Sequence, residues 1–446
     1  MPRPLGHEGL PQEKDVAAVS ISLSNAVAVM MVMSMRAAVM GSKFALAIFI
    51  AHYLDLSSLG VYGLATGAIA IVPVSVNIGM NHLLMRTAVN AGLQDLVHSL
   101  WQYWSFVSAI YILLLAIAAV SAVVFGVASI WILLVAVIYL EHVGNDVFYL
   151  LSNRQHHLAA NLIAFVRGAA WIAIYMPLAI AFPDMRTLSC LFAAWLMGGV
   201  VSMMLFAWLC RSWPWKAFAG RFRMSFVIDT VRKSYLFYVS DLSFVASQYI
   251  DRYLVTLFLG IKAAGIYFLF WTVANATTTF LGLVLQQKQR PLLIQAFARG
   301  GLPAHRQLAW RFMQISAVAT LALSVAITSA FQVALPWLGQ AALSGHLPVL
   351  WLIVTGMAVR YMADFGAMAL FSSHEDRLMT ITNVVSVIAL VCAQLVLLPT
   401  AGLHGAGAAI LLTSTGVLVW RYWSLFGSAA RSRSDANPDT AASLGA

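Results

Sequence analysis

Charge is what this sequence has least of. Only 9% of its 446 residues are Asp, Glu, Lys or Arg, and residues 100–140 contain none. A soluble globular chain carries about 25% charged and about 45–50% apolar residues. Here 61% are hydrophobic and the mean hydropathy is +0.85, which excludes an ordinary soluble fold. Cysteine is almost as scarce. Cys190, Cys210 and Cys392 sit in apolar stretches without motif spacing, so they indicate no disulfide framework, metal site or redox compartment. A phosphate-cradling Gly loop, His/Cys metal spacing and a Gly-x-Ser-x-Gly elbow are missing as well. The expectation is a protein that is not an enzyme and uses no cofactor or metal.

What is present is a series of apolar runs. A membrane span needs about 20 such residues. Residues 100–140 are twice that length, so they hold two helices with a tight turn near Gly126. The same reading gives twelve spans, at about 24–54, 60–82, 100–126, 129–151, 159–182, 188–210, 234–259, 264–286, 308–334, 348–371, 379–398 and 405–425. The fold class is therefore all-α and polytopic. The first span is overlong: it begins as an interfacial or bent helix, or residues 17–35 form an extra span. The N-terminal tail, 1–23, is polar and shows no short apolar core before a cleavage site. The C-terminal tail, 426–446, is too poor in hydrophobic residues to fold by itself.

Lys and Arg set the orientation. With the N-terminus inside, nineteen of the 26 lie in cytoplasmic tails and loops or, as Arg311 and Arg421 do, near the inner ends of spans, and the outside loops hold only Arg186 and Lys262. This implies an even number of spans, with both termini cytoplasmic. It also accounts for the net charge of +10 through basic residues at an anionic lipid surface, without nucleic acid as a partner. The longest basic connection, 211–233, interleaves Lys and Arg with Trp213, Trp215, Phe218, Phe222 and Phe226. Such a segment suits the inner leaflet, with base stacking the alternative. It divides the chain into an N-lobe, 24–210, and a C-lobe, 234–425.

At an offset of 205 residues, "SKFALAIFIAHYLDLSSLGVY" (42–62) lies over "SQYIDRYLVTLFLGIKAAGIY" (247–267). Ser42, Leu54, Gly60 and Tyr62 match Ser247, Leu259, Gly265 and Tyr267. Parallel repeats about an axis along the membrane normal are a transporter architecture. "YIDRYLVTLFLGIKAAGIYF" (249–268) resembles the start of the second half of Wzx-type polysaccharide flippases. "FIAHYLDLSSLGVYGL" (49–64) is similar to their first hairpin, and "GLHGAGAAI" (402–410) to the start of their last helix. Those proteins belong to the multidrug/oligosaccharidyl-lipid/polysaccharide (MOP) exporter superfamily, with the MATE exporters. The resemblance implies a MATE-like pair of six-helix lobes around a cavity. That cavity opens alternately to each side and carries an undecaprenyl-pyrophosphate-linked glycan to the outer leaflet of the inner membrane. Implied partners are the lipid-linked glycan, membrane lipids, and polysaccharide polymerase and export proteins.

Apart from Arg311 and Arg421 near the inner ends of their spans, ten charges fall within the spans: Arg36, Lys43, Arg167, Arg252 and Arg360, and Glu141, Asp146, Asp241, Asp251 and Asp364. Facing lipid at about 3 kcal/mol each, they would cost on the order of 30 kcal/mol. They must face one another, other helices or a wet cavity. On span seven, Asp241, Gln248 and Arg252 share one face, with Ser240, Ser247 and Asp251 beside it. Adjacent positions do not face each other on a helix, so Asp251 and Arg252 each need a partner elsewhere, in a cavity wall or on another helix. Arg36 and Lys43 share a face of span one, and no acid follows before Asp55. Two such cations suit an anionic ligand, with snorkelling the alternative for each and for Arg167. Arg360 and Asp364 are one turn apart and suit an intrahelical salt bridge. Glu141/Asn145 and His142/Asp146 are i, i+4 pairs, suited to a proton-coupled step or to an ordinary hydrogen-bond network. The candidate substrate-binding set is Arg36, Lys43, Arg167, Gln248, Arg252 and Arg360. The candidate ion-coupling set is Glu141, Asp146, Asp241, Asp251 and Asp364.

A lipid-linked oligosaccharide flippase fits these residues, its cations neutralising the pyrophosphate. A MATE-like antiporter of cationic drugs would place free carboxylates near span one, where Arg36 and Lys43 stand instead. A membrane enzyme of envelope glycan assembly would carry its catalytic groups on a large outer loop, and all outer loops are short. A scaffold that transports nothing would share the fold.

Overall fold

A computed structural model describes residues 23–82, 84–85, 91–125, 130–216, 222–338 and 341–427. The turn expected near Gly126, residues 17–22 of the extra span considered above, residues 217–221 of the linker and most of both tails lie outside the described residues. Among the described residues every regular element is helical. α1 runs Leu23–Phe49 and ends in a π turn, Ile50–Leu54. α2 is Leu56–Asn77, α3 Leu93–Phe125 and α4 Ile130–Asn153. α5 joins His157–Phe165, a π turn at Val166–Ala170, and Trp171–Ala181. α6 is Leu188–Leu209 and α7 Met224–Leu259. α8 begins as Ile261–Leu281 and passes through the π turn Gly282–Gln286 into the run Gln287–Ala334. Gly301, at φ 62°, breaks that run, so α8 ends at 300 and α9 covers 302–334. α10 is Leu347–Ser372. Gly402, at φ 57°, divides Asp376–Tyr422 into α11, 376–401, and α12, 403–422.

Among the described residues, nine helical runs are long and apolar enough to cross a membrane. Two of these, Ile261–Ala334 and Asp376–Gly427, each hold two crossings. α7 is long enough, but its charged and polar residues keep its hydropathy below that of the other runs. The chain is a multi-pass membrane protein of about twelve helices in two lobes, α1–α6 and α7–α12. α7 starts ten residues before the expected span, because Val227 and Thr230 are buried against the bundle and hold the end of the linker in the helix. Its 36 residues extend about 54 Å at 1.5 Å per residue, well beyond a hydrocarbon core of about 30 Å.

The repeated hairpins turn tightly. Asp55 caps α2 by accepting from the Ser58 backbone N–H at 2.5 Å. α7 passes into α8 through Gly260 alone, at φ 84°, a conformation that glycine adopts without a Cβ clash. Lipid supplies no hydrophobic drive between helices, so close backbone approach and polar bonds must hold them. The closest approach joins the lobes. A methyl group on Gly60 would overlap the Ile261 carbonyl oxygen, and one on Gly265 would overlap that of Leu56. Gly60 and Gly265 are repeat partners, as are Leu56 and Ile261, so the two contacts are equivalent and α2 and α8 cross on a pseudo-twofold axis. The crossing closes the bundle on the side away from the basic loops. Gly265→Ala is therefore expected to wedge α2 from α8. In a variant lacking the three native cysteines, Tyr62→Cys should then become labelled by an impermeant thiol reagent added from that side. Unchanged protection would show that the crossing tolerates a methyl.

Candidate substrate cavity

A cavity of about 760 Å³ lies between the lobes, walled by α1, α2, α4, α5 and α6 on one side and by α7 and α8 on the other. That volume is in the range of small-molecule sites. Its end nearest the α2–α8 crossing is lined by Tyr62, Trp195, Phe268 and Arg252. It extends toward the basic side as far as Arg36, Asn161 and Gln287. Of the candidate binding residues, Arg36, Lys43, Arg167 and Arg252 line it, whereas Gln248 and Arg360 do not. Of the candidate coupling acids, Glu141 lines it, and Asp146, Asp241, Asp251 and Asp364 do not. Four cations thus share the wall with one carboxylate, and the low local dielectric strengthens the attraction for an anion.

Each cation is held differently. Arg36 is tethered to α5: its Nε donates to Asn161 Oδ1 at 2.8 Å, and Asn161 is itself fixed by donating to the His157 carbonyl at 2.7 Å. Arg167 lies in the π turn of α5. The extra residue of a π turn rotates the remainder of the helix by about 100° relative to an unbroken one. Arg167 donates to the Glu141 carbonyl at 2.8 Å and to Asn145 Oδ1 at 2.7 Å, and its Nε is 3.4 Å from Glu141 Oε2. The other Glu141 oxygen accepts from Trp195 Nε1 at 2.8 Å. Lys43 is exposed to the open cavity. Among the described residues it makes no ion pair or hydrogen bond. Arg252, 1% exposed, crosses to the other lobe, where its Nη1 donates to Thr66 Oγ1 at 2.8 Å and to the Gly63 carbonyl at 3.2 Å.

Arg167 and Glu141 are both buried. Removing one partner of a buried pair costs about 3–5 kcal/mol, because the other charge is stranded. Arg167→Ala should therefore lower the thermal unfolding midpoint, and adding Glu141→Gln should recover part of the loss. A midpoint unchanged by Arg167→Ala would contradict this pairing in the N-lobe.

The remaining charges lie elsewhere. Asp251 accepts from the Tyr267 hydroxyl and, at 2.8 Å, from the Arg252 backbone N–H. Asp241 pairs with His82 at 2.6 Å, linking α7 to the segment after α2. Asp146 accepts from Tyr103 and Trp104, both at 3.3 Å, and His142 lies between the hydroxyls of Tyr103 at 3.0 Å and Tyr111 at 3.2 Å. This is a network between α3 and α4, away from the cavity wall. The intrahelical Arg360–Asp364 bridge does not form. Arg360 instead donates to the Ser247 carbonyl and Oγ, both at 2.7 Å, because α7 offers two acceptors in line. Asp364 faces Arg421 on α12 at 3.6 Å.

By charge pattern Arg421 belongs with the inner-surface cations, but it is 2% exposed inside the C-lobe. Its place within the expected span 405–425 is the signal that points to burial. Asn161 and Asn275, amides in apolar runs, also line the cavity and carry a similar signal. Trp195 carries none.

No protein-family profile and no curated protein matches the sequence. Solved structures do match. An inward-facing MATE family transporter of the MOP superfamily aligns at TM-score 0.67 and 15% identity, covering 89% of this chain and 98% of that one. The lipid II flippase MurJ, in an inward closed conformation, aligns at TM-score 0.66 and 10% identity, covering 90% and 87%. A Pyrococcus furiosus MOP superfamily transporter, described as having a binding pocket of reversed polarity, aligns at TM-score 0.55 and 15% identity, covering 89% and 95%. At such identities the likeness is one of fold: the chain has the two-lobe transporter fold shared by MATE-family proteins and the flippase MurJ.

Proposed function

We propose that this protein is a flippase for a lipid-linked oligosaccharide whose head group carries a pyrophosphate. One observation carries the reading: the interlobe cavity holds four cations against one acid, and Lys43 among them has no hydrogen-bond or ion-pair partner among the described residues. Arg36, Lys43, Arg167 and Arg252 supply charge-assisted bonds to phosphate oxygens. Phe44, Phe148, Tyr149 and Tyr249 line the same space and offer ring faces to sugars, while the polyprenyl tail stays in the bilayer. In this reading the basic side faces the cytoplasm of a bacterial inner membrane, and the head group enters the cavity from that side.

Titration of the purified protein with farnesyl pyrophosphate and with tetraphenylphosphonium separates the substrate classes. The pyrophosphate is expected to bind and the hydrophobic cation is not. The opposite result would replace this reading with cation export.

A further inference from the structure

Arg252 is the largest of the fully buried side chains, yet only part of its guanidinium is engaged. Nη1 holds α2 through Gly63 and Thr66. The next residue of α7, Tyr253, donates its hydroxyl to the Leu64 carbonyl at 2.9 Å, so one turn of α2 is gripped by two consecutive residues of the other lobe. Nε and Nη2 are buried and have no hydrogen-bond partner. These two nitrogens form one edge of the guanidinium plane, the edge that takes two oxygens of a phosphate or carboxylate side by side. The plane is held by the rings of Trp271 at 4.0 Å, Tyr249 at 4.6 Å and Phe268 at 5.0 Å. All three rings also line the cavity. No carboxylate among the described residues completes the site: Asp251 is bonded to Tyr267, Asp241 to His82, and Asp364 faces Arg421.

We infer that the idle edge of Arg252 is a bidentate oxyanion subsite whose occupation tightens the closure between α2 and α7. An oxyanion there fixes the guanidinium while Nη1 keeps its hold on Thr66, so a loaded cavity is also one kept shut on the far side. Thr66 and the three rings act as positioning residues. By linkage, whatever strengthens the grip also strengthens oxyanion binding. The inference rests on the anionic-cargo reading and adds to it a specific edge, an anchor and a conformational consequence.

The test uses the full-length protein in nanodiscs, inorganic pyrophosphate as ligand, and amide hydrogen exchange across residues 60–67. In the wild type, saturating pyrophosphate is expected to slow exchange there about five-fold or more, the lower end of typical coupling between sites. Arg252→Lys keeps the charge but cannot hold Thr66 and an oxyanion on separate edges. Thr66→Val leaves the guanidinium and removes its anchor. Both variants are expected to bind pyrophosphate and lose the protection. Binding by the wild type without protection of 60–67, or full protection in either variant, would overturn the inference and leave the cargo reading standing. Failure of the wild type to bind pyrophosphate by direct titration would remove both.

Discussion

Replacing Arg421 with alanine is expected to cost the C-lobe about 3–5 kcal/mol, the penalty for breaking a buried charged network. The arginine is almost wholly enclosed, and all three of its nitrogens are engaged. Nε donates to Thr382 Oγ1 at 3.0 Å, Nη1 to the Ala363 carbonyl at 2.8 Å, and Nη2 to Asn383 Oδ1 at 2.6 Å. It thereby ties α12 to α10 and α11 and faces Asp364. Lysine cannot reproduce that fork, so Arg421→Lys should fail nearly as badly. Asp364→Asn on its own should be mild, since the guanidinium keeps its three neutral acceptors. The measurement is folded protein recovered from membranes together with its thermal midpoint. An Arg421→Ala variant as stable as the wild type would refute the description of α10–α12 as one polar-pinned unit.

The second large effect is on binding rather than stability. Lys43 makes no hydrogen bond or ion pair with another described residue, so Lys43→Ala should leave the midpoint nearly unchanged. Hydrogen bonds to charged groups contribute about 1.5–3 kcal/mol, and each 1.36 kcal/mol is tenfold. Affinity for farnesyl pyrophosphate should therefore fall about 10- to 100-fold, and Lys43→Arg should retain most of it. Unaltered affinity in Lys43→Ala would mean that the anion does not reach the free cation, and the cavity reading would lose its main support.

Much of the fold is legible in the sequence because membrane insertion punishes charge and irregular backbone so heavily. Apolar runs mark the helices, and scarce charges mark positions that need a reason. The repeat brings Gly60 and Gly265 into register without showing why two glycines are needed. That reason is backbone contact across the axis, with Leu56 and Ile261 completing it. The partners of the charges are not legible. Spacing on one helix suggests that Arg360 takes Asp364, but both reach across helices, to Ser247 and to Arg421. Helical periodicity also cannot show the π turn that carries Arg167. Nor can it show that Arg252 passes over the carboxylates of its own helix to grip Thr66 in the other lobe.

The most direct measurement is transbilayer movement itself. Proteoliposomes would carry a fluorescent undecaprenyl-pyrophosphate oligosaccharide, with a membrane-impermeant quencher reporting the rate at which probe changes leaflet. A matched glycolipid without phosphate serves as the comparison. The wild type is expected to move the pyrophosphate lipid far faster than protein-free vesicles do and to leave the phosphate-free lipid behind. Equal rates for the two lipids, or no acceleration over empty vesicles, would contradict a cation-lined cavity built to carry a pyrophosphate head group.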